Sequence, residues 1–83
     1  MKYDTVLVEW HDAHAVAPSW INIDDIDNEP ATVQTVGFVL PNIKPNHIVL
    51  AQSLLGDECD HTIAIPDAMV KSIHVLTVAT KSI

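Results

Sequence analysis

The sequence has very little positive charge. It contains no arginine and four lysines against eleven acidic residues, so its formal net charge is −7. Proteins that bind nucleic acids neutralise phosphates with Lys and Arg, and Arg is the usual bidentate partner of a phosphate. The composition therefore disfavours nonspecific nucleic-acid binding, although a few lysines and histidines repeated by symmetry can still line a positive pore or pocket.

Cysteine and long apolar runs are also scarce. Cys59 is the single cysteine, so the chain cannot form an internal disulfide, which suits a reducing compartment. No apolar run approaches the roughly 20 residues of a membrane-spanning helix, and no signal-like apolar block follows the N-terminal residues. We therefore expect a cytoplasmic protein without a membrane partner.

Apolar side chains are abundant by contrast. They make up 48% of the 83 residues, whereas 18% of the residues are charged. We expect a single domain over residues 1–83, because a chain of this length supports only a small core. One copy cannot bury so much apolar surface, which predicts a homo-oligomer.

A turn between two apolar segments dominates the pattern. Within residues 36–50, Pro41 and Pro45 remove two backbone donors and fix two φ angles, so the chain must reverse there. The flanking segments form a hairpin, and Gly37 in its first arm marks a bulge, a bend or a close backbone approach. Such bending favours a small closed β-barrel.

The rest of the chain is typical of further strands with short connections. Both faces of the segments on either side of the turn are apolar, so we expect a closed barrel or a subunit interface on the second face. The sequence therefore predicts an all-β fold of five antiparallel strands without a substantial N-terminal helix. The predicted strands are residues 5–10, 31–40, 47–54, 61–65 and 70–78. The predicted connections are an irregular excursion at residues 11–20, a short strand or helical turn at 21–26, an acidic turn at 24–30, a polar loop at 55–60 and a tight or 3₁₀ turn at 66–69.

Residues 33–76 resemble the Sm-like family, which includes the Sm, Lsm and Hfq proteins. The first family signature, a strand with a glycine, a turn and a second apolar strand, is matched by Gly37 and residues 47–50. The second is matched by Ile65, Pro66-Asp67 and residues 70–76. The chain is most similar to the small Sm-like proteins encoded by phages, including cyanophages.

This resemblance implies a strongly bent, five-stranded SH3-like barrel in the cytoplasm of a host cell. It also implies that the last strand pairs with a neighbouring copy and closes a ring of about five to seven subunits. The interface residues expected on that strand are Val70, Ile73, Val75 and Leu76.

The resemblance places Lys44, Asn46 and His47 around the central opening of the ring. One lysine per subunit, repeated by symmetry, would form a positive collar on an acidic protein; alternatively, Lys44 is a solvated turn residue. His47 stands at the RNA-contacting Asn position of the family, and Pro66-Asp67 stand at its Arg-Gly pair. The usual RNA-binding residues are therefore not carried over one by one.

Trp10 and Trp20 flank the excursion at residues 11–20. Their rings could stack on a nucleobase or another ring ligand, or they could cap an open barrel end or pack against a neighbour. We include both in the candidate RNA-binding set with Lys44, Asn46 and His47.

Three polar clusters have side chains that can bind metals, but each has a plainer interpretation. The His11-Asp12-Ala13-His14 segment is more typical of a surface loop than of a metal site. The acidic residues 24–29 lack the glycine and the terminal glutamate of an EF-hand. In residues 57–61, neighbouring Cys and His lack an oriented base and an oxyanion site. We therefore predict no enzyme activity, no metal site and no cofactor.

Three functions are compatible with these features. The first is a ring-forming Sm-like protein of phage origin that binds RNA or another nucleic-acid component as a regulator or scaffold. The second is an oligomer that binds or sequesters small molecules such as nucleotides at subunit junctions. The third is a structural protein whose acidic surface docks a host partner.

Overall fold

The computed structural model describes residues 2–13, 19–26 and 29–81. Within these ranges no residue lies in an α-helix, so the prediction of an all-β fold is confirmed there. Two short 3₁₀ helices, Ile23–Asp25 and Asp67–Met69, connect strands. The strands are β1 (Thr5–Asp12), β2 (Ala31–Leu40), β3 (His47–Leu55), β4 (Glu58–Pro66) and β5 (Val70–Val75).

The five strands form one antiparallel sheet in the order β4-β3-β2-β1-β5. β1 therefore lies between β2 and β5, although β5 is the last strand of the chain. β4 and β5 lie at opposite edges, and the 3₁₀ helix Asp67–Met69 connects them in sequence. Within the described residues the sheet is thus open, with two edge strands.

The predicted hairpin around residues 41–46 is confirmed, since Val39 on β2 pairs with Leu50 on β3. A Cβ atom on Gly37 would lie 3.0 Å from the carbonyl oxygen of Ala51 and 3.2 Å from the Cβ of Leu50. These distances are shorter than ordinary van der Waals contact. The glycine therefore marks a close backbone approach between the two strands.

The core lies on one face of the sheet. Val6, Val8 and Trp10 alternate along β1 and pack with Leu50 and Ile65 from β3 and β4. Burial of this face follows from the two-residue period of a strand. The opposite face of the hairpin is also apolar, as predicted, since Phe38 pairs with Ala51 and Leu40 with Val49.

Four of the five strands, all except β2, differ from the prediction in at least one boundary. β1 continues to Asp12 and β5 ends at Val75. The predicted polar loop at residues 55–60 is mostly strand, because Leu55 pairs with Glu58 across the two-residue turn Gly56-Asp57. Gly56 has a φ of 58°, as the first central residue of a type II′ hairpin turn requires. Parts of the predicted excursion and of the acidic turn, residues 14–18 and 27–28, lie outside the described residues.

The chain is extended for its size. Its radius of gyration is 16.6 Å, whereas a compact chain of this length has a radius of about 12 Å. Its solvent-accessible surface is 6774 Å², against about 4,900 Å² for a compact monomer of this mass. Part of the exposed apolar surface lies on and after β5, where Ile73 is 49% and Val75 66% exposed.

Candidate ligand-binding site and free sheet edges

The turn between β2 and β3 borders an open cavity of about 430 Å³. Prolines at both ends of the turn prevent either strand from continuing, so the turn projects from the sheet. The cavity brings together all three turn residues of the candidate RNA-binding set. Its lining residues are Asn42, Lys44, Pro45, Asn46 and His47.

Two asparagines shape the turn. Asn42 and Asn46 have left-handed backbone conformations, with φ angles of 59° and 60°. Each follows a proline, and a proline followed by an asparagine is typical of turns whose second central residue has a positive φ. Asn tolerates this conformation better than most residues. The repeated Pro-Asn dipeptide therefore gives the turn a defined shape.

A hydrogen bond orients the His47 ring. Its Nδ1–H donates to the carbonyl oxygen of Pro45 at 2.8 Å. This bond places the proton of the neutral ring on Nδ1 and leaves Nε2 as an acceptor, or as a donor when the ring is charged. The second ring nitrogen of His47 is thus available to a ligand in the cavity.

A backbone hydrogen bond joins this turn to the 3₁₀ helix Asp67–Met69. The N–H of Asp67 donates to the carbonyl oxygen of Asn46 at 2.9 Å, and His47 pairs with Pro66 one position further. The turn and the 3₁₀ helix, predicted separately, therefore form one continuous surface at one end of the β3–β4 pair.

Lys44 supplies the positive charge of the cavity. Its side chain is exposed, and no carboxylate among the described residues lies within ion-pairing distance of its ammonium group. None of the other lining residues carries a carboxylate. Lys44 is therefore the permanent charge among the lining residues and can bind an anionic group such as a phosphate, while Asp67 brings a carboxylate to the adjoining surface.

The two tryptophans of the candidate set have different environments, and neither lines the cavity. Trp10 belongs to the core, and its indole N–H donates to Thr35 Oγ1 at 3.0 Å. Trp20 is fully exposed. The structure thus gives Trp10 a packing role inside the core of its own chain, which differs from both the stacking and the capping or neighbour-packing roles expected from the sequence.

The predicted interface residues lie on or next to the free edge of β5. Val70 is half-buried against the core, whereas the other three, Ile73, Val75 and Leu76, are exposed. The N–H of Leu76 donates to the carbonyl of Thr5 at 2.8 Å. Hydrogen-bonded and non-hydrogen-bonded positions alternate in an antiparallel pair, so Val75, opposite Val6, directs its N–H away from β1.

The free edge of β4 also has a backbone N–H that points away from the sheet. Because the Asp67 N–H bonds to Asn46, the alternation directs the N–H of Ala64, opposite Val49, away from β3. Ala64 and Val75 thus present unpaired backbone groups at the two opposite edges of the sheet. An unpaired strand edge is a template for pairing with another strand.

The remaining polar clusters do not form a metal site within the described residues. His11 and Asp12 end β1, and His14 lies outside the described ranges. Asp60 Oδ1 accepts an exposed hydrogen bond from His61 Nδ1 at 2.8 Å. The free Cys59 is exposed on β4.

Comparison with models of protein families, with curated proteins and with solved structures found no match. No helix in the described ranges has the length and apolar character needed to cross a bilayer.

Sequence reasoning missed two residues of the cavity wall, Asn42 and the backbone of Pro45. The repeated Pro-Asn dipeptide was the available signal, because it predicts left-handed asparagines in a shaped turn. The bond between Asn46 and Asp67 joins residues far apart in sequence through backbone atoms. No pattern of side chains indicates such a contact.

Proposed function

We propose that this chain is a ring-forming Sm-like protein that binds single-stranded RNA at the turn between β2 and β3. The observation that carries the proposal is the pair of free edges on β4 and β5. Such edges pair in a head-to-tail arrangement, in which each copy uses β4 toward one neighbour and β5 toward the other. A head-to-tail interface closes into a ring when the rotation between copies allows it.

The edges are chemically compatible. An antiparallel pairing sets the outward positions of β4 opposite those of β5. Ile73 of one copy would then lie opposite Ala64 of the next, and Val75 opposite Thr62, on one face of the joined sheet. β-branched residues in such cross-strand positions stabilise a sheet.

The surface area supports assembly. The chain exposes about 1,900 Å² more than a compact monomer of its mass would. A stable protein interface buries about 1,600 Å² in total. Each partner contributes about 800 Å² of that total, so the excess is close to what two interfaces, one at each edge, would remove from each copy.

The RNA part of the proposal rests on the cavity beside Lys44. In a ring, one such cavity per subunit repeats around the axis, so the lysines act together as a positive collar. His47 Nε2 and the two Asn side chains add hydrogen-bonding groups that phosphate, ribose or base can use. A regulator or scaffold in a phage-infected cell is the role that we propose for such a ring.

An electrophoretic shift with U-rich and A-rich RNA at two salt concentrations tests this function. A phosphate-driven complex must weaken as salt rises. Lys44→Glu should abolish the shift, whereas Lys81→Glu, an equal charge change outside the cavity, should preserve most of it. Absence of a shift at low salt with the unaltered protein would remove RNA binding from the proposal. A thermal shift with nucleotides would then favour the small-molecule alternative, since a ligand at 100 times its Kd adds about 2.7 kcal/mol of stability.

A further inference from the structure

Tyr3 lies between two small cavities next to the β2–β3 turn. One cavity, of about 200 Å³, is lined by Lys2, Tyr3, Asp4, Val39 and Pro41. The other, of about 150 Å³, is lined by the same Tyr3 and Asp4 with Thr5, Leu76 and Val78. A cavity of about 150 Å³ accommodates one benzene-sized ring. Each cavity therefore has room for a single aromatic ring beside Tyr3.

The backbone after Tyr3 is held on both sides. The carbonyl of Asp4 accepts a hydrogen bond from the Val39 N–H at 2.9 Å, and the carbonyl of Thr5 accepts one from the Leu76 N–H at 2.8 Å. These bonds attach the chain to β2 and to the segment after β5. Tyr3 therefore directly precedes a strand end that is attached to the segments on both sides.

Lys2 and Tyr3 act as a pair. The Lys2 ammonium lies 5.3 Å from the centroid of the Tyr3 ring, within the range of a cation–π contact. Lys2 lines the cavity toward Pro41 and not the one toward Leu76. An aromatic surface beside a cation is the combination that single-stranded nucleic-acid sites use, with a base on the ring and a phosphate near the charge.

We propose that Tyr3 is a base-stacking subsite for the RNA strand whose phosphates bind near Lys44; this inference rests on the proposed function. Pro41 lines the Lys2 cavity and Asn42, the next residue, lines the cavity of Lys44, so the two cavities lie at neighbouring residues of the same turn. The Asp4 carboxylate lines both cavities beside Tyr3 and would repel a phosphate there, which favours an uncharged base. The base sits on Tyr3, and the strand continues past Pro41 toward Lys44.

Fluorescence anisotropy with labelled oligo-A and oligo-U RNA tests the subsite. Tyr3→Leu keeps apolar bulk but removes the ring, and should weaken binding by about 5- to 150-fold, as the removal of one stacked base does. Tyr3→Phe should retain the wild-type affinity. The salt dependence should be the same for Tyr3→Leu as for the unaltered protein, because stacking releases no counterions. Lys2→Gln should instead lower the salt slope by about 0.7 for each phosphate that the variant leaves without a cation.

An oligonucleotide without bases provides the control. Tyr3→Leu and the unaltered protein should bind it equally, whereas weaker binding of the abasic RNA by Tyr3→Leu would indicate a structural role and overturn the subsite. Equal binding of normal RNA by the two proteins would also overturn it while leaving RNA binding at Lys44 intact. If the unaltered protein binds no RNA, both proposals fail. The melting temperature and the mass in solution of each variant show whether it is folded and assembled.

Discussion

The backbone N–H of Asp67 donates a 2.9 Å hydrogen bond to the carbonyl oxygen of Asn46. This single contact joins the turn that carries Lys44 to the 3₁₀ helix between the two edge strands. In the proposed ring, the ligand-binding turn is therefore mechanically connected to the part of the chain from which β5 leaves toward a neighbour.

Removal of that bond should loosen the turn without unfolding the sheet. Asp67→Pro deletes the donor, and the first position of a short helix tolerates proline; the preceding Pro66 already has the extended conformation that a following proline requires. We expect weaker RNA binding with an unchanged oligomer mass. Asp67→Ala is the matched control, because it removes the same carboxylate but keeps the N–H. Equal affinities of the two variants would contradict the role of the bond.

The close approach at Gly37 predicts a loss of stability on substitution. In Gly37→Ala the new Cβ would meet the Ala51 carbonyl oxygen at 3.0 Å, and that backbone belongs to β3, which is paired on both sides. Overpacking of this kind costs about 1–3 kcal/mol. Thermal unfolding at fixed protein concentration measures the change. An unaltered melting temperature would show that β2 and β3 can move apart at this position without a loss of stability.

The bond between Trp10 and Thr35 makes a second prediction about stability. Thr35→Val removes the acceptor of a part-buried hydrogen bond and leaves the indole N–H without its protein partner, which costs about 1 kcal/mol. Thr32→Val is the matched control, because Thr32 lies on the same strand and is exposed. Chemical denaturation of the two variants should separate them. Equal stabilities would mean that another group accepts the hydrogen bond of the Trp10 indole N–H.

The architecture was predictable where the sequence has a strong local pattern. Pro41 and Pro45 located the central turn, and Pro66-Asp67 located the 3₁₀ helix, because proline restricts the backbone whatever its surroundings. The start of β4 was misjudged, since Glu58, Cys59 and Asp60 have the polar composition of a loop. At an exposed sheet edge those side chains point into solvent, so the strand forms without apolar alternation.

The candidate site was predictable only in part. Lys44, Asn46 and His47 were identified and do line one cavity. The two cavities beside Tyr3 were not identified. Their walls come from the end of β2 and from residues after β5, which approach Tyr3 only in the folded sheet. Trp10 resembled a stacking residue in sequence, but alternation along β1 turns it into the core.

The two free edges predict an asymmetric complementation. Val75→Pro removes an outward N–H on β5 and Ala64→Pro one on β4, and proline is tolerated at an edge whose N–H faces solvent. Each variant alone should be a monomer, because a head-to-tail interface needs an intact β4 edge on one copy and an intact β5 edge on the next, and every copy of a variant lacks the same edge. An equimolar mixture should form a one-to-one dimer, since each variant retains the edge that the other lacks.

Val75→Thr and Ala64→Ser are the controls, because they keep the backbone donors and should assemble as the unaltered protein does. Size-exclusion chromatography with light scattering reads the masses. If either proline variant assembles normally, the edge concerned is not the interface. A symmetric dimer of one variant alone would indicate a self-complementary contact in place of a head-to-tail one.

We propose that other copies of the same chain cover the exposed edges and apolar surface of each chain. A native mass spectrum of the unaltered protein at micromolar concentration tests this claim most directly. We expect a single closed assembly of about five to seven copies. A spectrum dominated by the 9.1 kDa chain would contradict it.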